Sequence, residues 1–149
     1  MEDKKTRRTI TKIDFYSRTT ADVYYEGLPK IVRIEGELCY DYFVAWPDTM
    51  IWADPPESWE WPPERKGDRL TESEQKQVMD DVKEYYGRGK AEVVFETKEL
   101  LDIAYELASE VHDKKMSMWT ARRKLRKAFP DVPKGVRGDV LGQAYHNTR

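Results

Sequence analysis

The spacing of apolar residues changes period along this chain, and no other feature constrains its fold as much. From Thr9 to about Trp52, apolar and polar residues alternate, as on strands with one buried face. From Thr71 onward, apolar residues recur every three to four positions, as on helices, with one short return to alternation at 91–96. Strands that follow one another through short turns pair antiparallel, because parallel neighbours need long crossovers. The expected fold class is α+β: a mostly antiparallel sheet with one packed helix, followed by a helical C-terminal extension.

Within the first half, Ile13 and Phe15 form one inward row, and Ala21, Val23 and Tyr25 a second. Glu26 to Pro29 reads as a turn, since Gly27 tolerates positive φ and Pro29 presets its own. Val32 and Ile34 face one way on a third strand over 31–35, which Gly36 is expected to interrupt. A fourth strand is expected over 38–46, with Leu38, Tyr40, Tyr42, Val44 and Trp46 on one face, and a fifth over 50–52. Pro55-Pro56 and Pro62-Pro63 forbid a ladder or helix interior, so 54–67 reads as an irregular loop.

The helical signals are sharper. Thr71-Glu72-Ser73-Glu74 has capping-box spacing, and Val78, Met79, Val82, Tyr85 and Tyr86 follow at helical intervals up to Gly87 and Gly89. Thr97 caps a second helix carrying Leu100, Ala104, Leu107, Ala108 and Val111. Ser117 caps a third, with Met118, Ala121, Leu125, Ala128 and Phe129 as its apolar stripe and Pro130 as its stop. Val136, Val140, Leu141 and Ala144 mark a last short helix, weakened by Gly138 and Gly142. The expected divisions are a charged arm at 1–8, a β-rich α+β domain at 9–97 and a helical extension at 98–149.

Charge is uneven along the 149 residues. Residues 1–13 sum to +3, residues 14–110 to −12 and residues 111–149 to +7, giving the overall −2. An acidic body and a basic tail select partners of opposite sign. The single Cys39 excludes an intramolecular disulfide and reads as a small buried hydrophobe. Residues 1–8 lack the apolar core of a signal peptide, and no apolar run approaches the roughly 18 residues of a membrane span. The expected setting is the cytoplasm, without membrane association.

Catalytic and metal chemistry find little support in the residue pattern. Cys39, His112 and His146 stand at no ligand spacing, so no metal and no cofactor is expected. Gly87-Arg88-Gly89-Lys90 follows a helix rather than a strand, which suits a C-cap better than a phosphate loop. The acids at Glu35 and Glu37, and at Asp80 and Asp81, leave a carboxylate-dependent hydrolase as the weakest alternative. No catalytic residue is assigned, and the chain is expected not to be an enzyme.

Two surfaces stand out instead. The Trp/Pro loop carries Trp59 and Trp61 with Glu57, Glu60 and Glu64 around them, and Trp52 just before it. Tryptophans dominate binding energy at interfaces, and prolines lower the entropy lost when a loop is ordered by a partner. The competing structural use of these rings is to close the open face of the sheet. The third helix carries Trp119 beside Arg122, Arg123, Arg126 and Lys127, which combines ring stacking with phosphate contact. Its competing uses are as the wet face of a packed helix or as a basic face docked on the acidic body, which would also repel phosphate.

The stretch from about Thr9 to Thr97 resembles a small immunity-protein family of bacterial polymorphic-toxin systems. The matching pieces are Arg33-Ile34-Glu35-Gly36-Glu37-Leu38, the Trp52–Pro56 segment, Thr71-Glu72-Ser73-Glu74 with its helix, and the closing strand from Ala91 to Glu96. The resemblance covers about three fifths of the chain and implies a β-meander carrying one helix and a last strand. It implies a cognate toxin domain as partner, bound without cofactor or turnover. The loop at 54–67 is longer and richer in Trp than that pattern, and 98–149 has no counterpart in it.

The expected function is therefore non-enzymatic protein binding, with occlusion of a toxin as the sharper form. The alternative is a nucleic-acid-binding accessory protein of a phage or mobile element that uses the basic helix 118–129. The extension is equally open to oligomerisation or a second partner.

Overall fold

A computed structural model of the chain describes residues 8–39, 42–57, 66–87 and 92–148. It divides into two compact units, Met1–Phe95 and Glu96–Arg149. The first is a mostly antiparallel sheet with one helix and the second is helical, so the fold is α+β as expected.

Unit 1 opens with a hairpin of β1 (Ile10–Ser17) and β2 (Thr20–Tyr25). Ile10 faces Tyr25 while Lys12 faces Tyr24, so Thr11 is one extra residue on β1. Its hydroxyl donates to the Tyr24 carbonyl at 3.3 Å. The bulge turns Ile10 onto the same face as Ile13 and Phe15, where all three join the core.

β3 (Ile31–Leu38) is the central strand. One edge pairs with β2. The other pairs antiparallel with two short strands, β4 (Phe43–Ala45) and β5 (Ile51–Ala53), separated by a 3₁₀ turn at Pro47–Thr49. Between the Gly36–Ala45 and Arg33–Ile51 pairs, the partner strand carries three residues more than β3. The turn absorbs them. The Thr49 hydroxyl then replaces the missing rung: it accepts from the Glu35 N–H at 2.9 Å and donates to the Trp46 carbonyl at 2.6 Å.

Gly36 does not interrupt β3 but lies inside it. A Cβ there would run into the Val44 carbonyl and the Phe43 ring, so only glycine admits that close approach. The fourth strand also differs from expectation. It is three residues long, and its inward side chains are Phe43 and Ala45, while Val44 is half-buried and Trp46 exposed. Leu38 belongs to β3 and is exposed, and Tyr40 lies outside the described residues. The run Tyr42 to Trp46 is apolar at both parities, so alternation alone does not choose a face. The Gly36 opening, which fits the Phe43 ring, chooses it.

Two short strands complete the sheet. β6 (Asp68–Arg69), which the Pro-rich context concealed, pairs antiparallel with β5, and β7 (Val93–Phe95) pairs parallel with β4. Between them runs α1 (Glu72–Tyr86) with its capping box formed: Glu74 N–H to the Thr71 hydroxyl at 3.1 Å, Thr71 N–H to the Glu74 carboxylate at 2.8 Å. Gly87 ends it with φ 80. Val78 and Val82 of α1 join Val23, Val32, Ile34, Phe43, Met50 and Phe95 in one core.

Unit 2 consists of α2 (Lys98–His112), α3 (Met118–Ala128) and α4 (Lys134–Asn147), and each helix packs against the other two. Thr97 and Ser117 cap α2 and α3 as their spacing predicts, each contributing about 1 kcal/mol. α4 has no side-chain cap. Instead, the Arg137 guanidinium donates to the Phe129 and Val132 carbonyls and holds the connector ahead of it. α2 and α4 are further joined by His112, which stacks on Tyr145 at 4.0 Å and bonds the Tyr145 carbonyl through Nε2 at 2.7 Å.

Candidate functional site

Among the described residues of unit 1, the buried titratable groups Asp22, Arg33, Tyr25 and Asp81 are committed to one another in pairs. Asp22 and Arg33 are direct cross-strand neighbours, and both are buried. The guanidinium forks onto the carboxylate, Nε to Oδ1 at 2.8 Å and Nη2 to Oδ2 at 3.0 Å. Burial pushes the Asp22 carboxyl above the usual carboxylate value, Arg33 pulls it back, and Asp14 alongside pushes it up again. Tyr25 on β2 donates to Asp81 on α1 at 2.8 Å, and Gln77 donates to the other carboxylate oxygen at 2.9 Å. Burial, and then donation to a carboxylate, hold the Tyr25 hydroxyl far above its ordinary value. Asp81 thus works inside the unit while its neighbour Asp80 is exposed, so this sequence pair does not converge.

The sheet register assembles a patch that alternation in the sequence concealed. Glu37 lies opposite Val44 on the face away from Phe43 and Ala45. Trp46 continues that row beside Glu35, its backbone N–H donating to the Glu35 carbonyl at 2.9 Å. Glu37 and Trp46 are exposed, Val44 and Glu35 are half-buried, and exposed Asp48 follows in the 3₁₀ turn. The register thus places Trp46 near the backbone positions of Glu35 and Glu37, with Asp48 two residues on. The signal for it is the opposition of a Glu-rich strand to a Trp-bearing one, and it becomes legible only once the register is known.

The expected loop site is described in part. Trp52 sits on β5 opposite Val32, half-buried and packed on the core, with the Arg8 guanidinium 5.5 Å from its ring centroid. Glu57 is exposed. Trp59, Trp61, Glu60 and Glu64 lie outside the described residues. Cys39 is half-buried rather than buried. Among the described residues, no group of three or more His, Cys, Asp or Glu side chains could hold a metal ion. Among the same residues, no helix is long and apolar enough to cross a membrane.

In unit 2, α3 turns Ala121 and Leu125 inward and leaves Arg122, Arg123, Lys124, Arg126 and Lys127 exposed. Trp119 is 65% exposed, the most open of the large apolar side chains among the described residues. Arg123, one turn on, places its guanidinium 4.7 Å from the Trp119 ring centroid.

No family model, curated protein or solved structure matches this chain. The functional reading therefore rests on the residues themselves and on the resemblance carried by their motifs.

Proposed function

We propose that this chain is a non-enzymatic protein-binding module of the immunity type, acting in the bacterial cytosol, whose first unit occludes a cognate toxin domain. The observation that carries this reading is the Trp46 patch. Exposed Trp46, with exposed Glu37 and Asp48 close to it along the sheet and turn, suits a basic protein surface: the ring supplies area to bury, and the acids supply steering and exclude wrong partners. The architecture of unit 1 supports the same reading, since a β-meander with one helix and a last strand is what the resemblance implies. The engagement of Asp22 with Arg33 and of Asp81 with Tyr25 agrees with a surface-borne role, because these groups hold the fold together.

The test begins with tagged full-length protein recovered from its native host, followed by direct calorimetry with the purified partner. Trp46→Ala is expected to weaken that binding about 30-fold or more, the scale of a hot-spot residue, while the melting temperature barely moves. Glu37→Lys is expected chiefly to slow association and to flatten its salt dependence. Trp59→Ala and Trp61→Ala in the same assay ask whether the neighbouring loop shares the interface. Unaltered affinity in Trp46→Ala, or a collapse of its melting temperature, would remove the patch from the interface.

A further inference from the structure

We infer that the exposed face of α3 is a docking surface for single-stranded nucleic acid, with Trp119 as a stacking platform and Arg122, Arg123 and Arg126 as backbone-phosphate contacts. The three arginines follow Trp119 at the third, fourth and seventh positions, so all four side chains lie on one side of the helix. From Trp119 to Arg126 the row spans about 10 Å along the axis. Arg123 covers one face of the ring at 4.7 Å, which orients the indole while 65% of the residue stays exposed. A ring held in this way offers its remaining face to a base, and every base has a stacking face.

The charge pattern argues against a merely solvated surface. An exposed helix face is stabilised by mixing signs, as where Lys98 meets Asp102 at 3.8 Å on α2. α3 carries five cations and no acid between Met118 and Ala128. Arg122 and Arg126, like Arg123 and Lys127, are like-charged pairs one turn apart, and each such pair disfavours the helix. The helix dipole accounts for Arg126 and Lys127 in the last turn, but not for Arg122 and Arg123 further back. The first turn of α3 also lacks the acid that the dipole would favour there. A polyanion relieves this repulsion at every step, since each neutralised phosphate releases a condensed counterion. The exposed ring selects nucleic acid among polyanions, because sulfated or phosphorylated chains without bases have nothing to stack.

The experiment is anisotropy of a fluorescein-labelled oligodeoxythymidylate of about twenty nucleotides, longer than a typical single-strand site. It uses the full-length protein over a salt series starting from about 0.01 M, where the Debye length is about 30 Å. Wild type is expected to bind, with log affinity falling linearly in log salt by about 0.7 per phosphate contacted. Arg126→Ala should shallow that slope by about one contact. Trp119→Ala should weaken binding about 5- to 150-fold, with Trp119→Phe recovering part of the loss. Circular dichroism of each variant checks that the helices remain. Absence of binding at the lowest salt, or binding that Trp119→Ala leaves intact, overturns the inference.

Discussion

Unit 1 buries Asp22 with Arg33 and sets Asp81 against Tyr25, whereas the buried side chains of unit 2 are apolar throughout its described residues. The contrast follows from what each architecture has to specify. A strand that slips by one residue sends every side chain to the opposite face, and an apolar face alone penalises such slips weakly where both faces are buried. β2 and β3 are in that situation: Thr20 to Val23 and Ile31 to Ile34 are all buried. Asp22 opposes Arg33 in one register only, so a slip would leave two buried charges without partners. Tyr25 and Asp81, 56 positions apart, pin α1 to the sheet in the same manner. Helices carry their register in their own backbone bonds, so unit 2 needs only complementary apolar stripes.

If that contrast holds, the largest single effect comes from Arg33→Met, which strands the buried Asp22 carboxylate. A loss of about 3–5 kcal/mol is expected in urea unfolding. Replacing both partners, Asp22→Leu with Arg33→Met, should recover much of it, and failure to recover would show that the pair does more than fix register. In unit 2, Leu125→Ala should cost about 3 kcal/mol by opening a cavity, read as faster amide exchange across α3. Tyr25→Phe deprives Asp81 of one of its two donors and should cost about 1–3 kcal/mol. Thr97→Ala should cost about 1 kcal/mol through the lost cap of α2, and a negligible change would mean that packing alone holds that helix end.

The gentlest test is alkaline. Burial, and secondarily Glu92 nearby, push the Tyr86 hydroxyl up to about 12 from its ordinary 10.0. A raised value means that the folded state holds its proton longer than the unfolded chain does. The associated stability is therefore present in full below pH 10.0 and is lost as pH rises towards about 12. Tyr25 pulls in the same direction. Denaturation curves for Tyr86→Phe should show a shallower decline over that window, and an unchanged decline would place the titrating group elsewhere.

The sequence is legible where the chemistry itself is local. The Thr71 capping box, the Thr97 and Ser117 caps, the Gly87 stop and the buried Leu100, Ala104, Leu107 and Ala108 row of α2 depend on residues a few positions apart, whereas Ala128 of the expected α3 stripe is exposed and Asp22, expected on the outer face of β2, is buried. The exposed basic row beside Trp119 was legible for the same reason, since a helix sets its own faces. Alternation does not choose a face at Tyr42 to Trp46, where both parities are apolar, and β6 has no sequence signature because two residues near prolines and glycine make no pattern. The three-residue 3₁₀ insertion opposite β3 was equally silent.

The sequence by itself thus determined the α+β class, the capped starts of α1, α2 and α3 and the exposed basic row of α3, because hydrogen bonds and side-chain periods within one segment decide them. Only the tertiary structure decided that Phe43 rather than Val44 turns inward, that Asp22 meets Arg33, and that Trp46 is exposed beside the Glu35 backbone. Those outcomes depend on which strand lies alongside and in what register, and pairing between distant segments leaves no imprint on either segment alone.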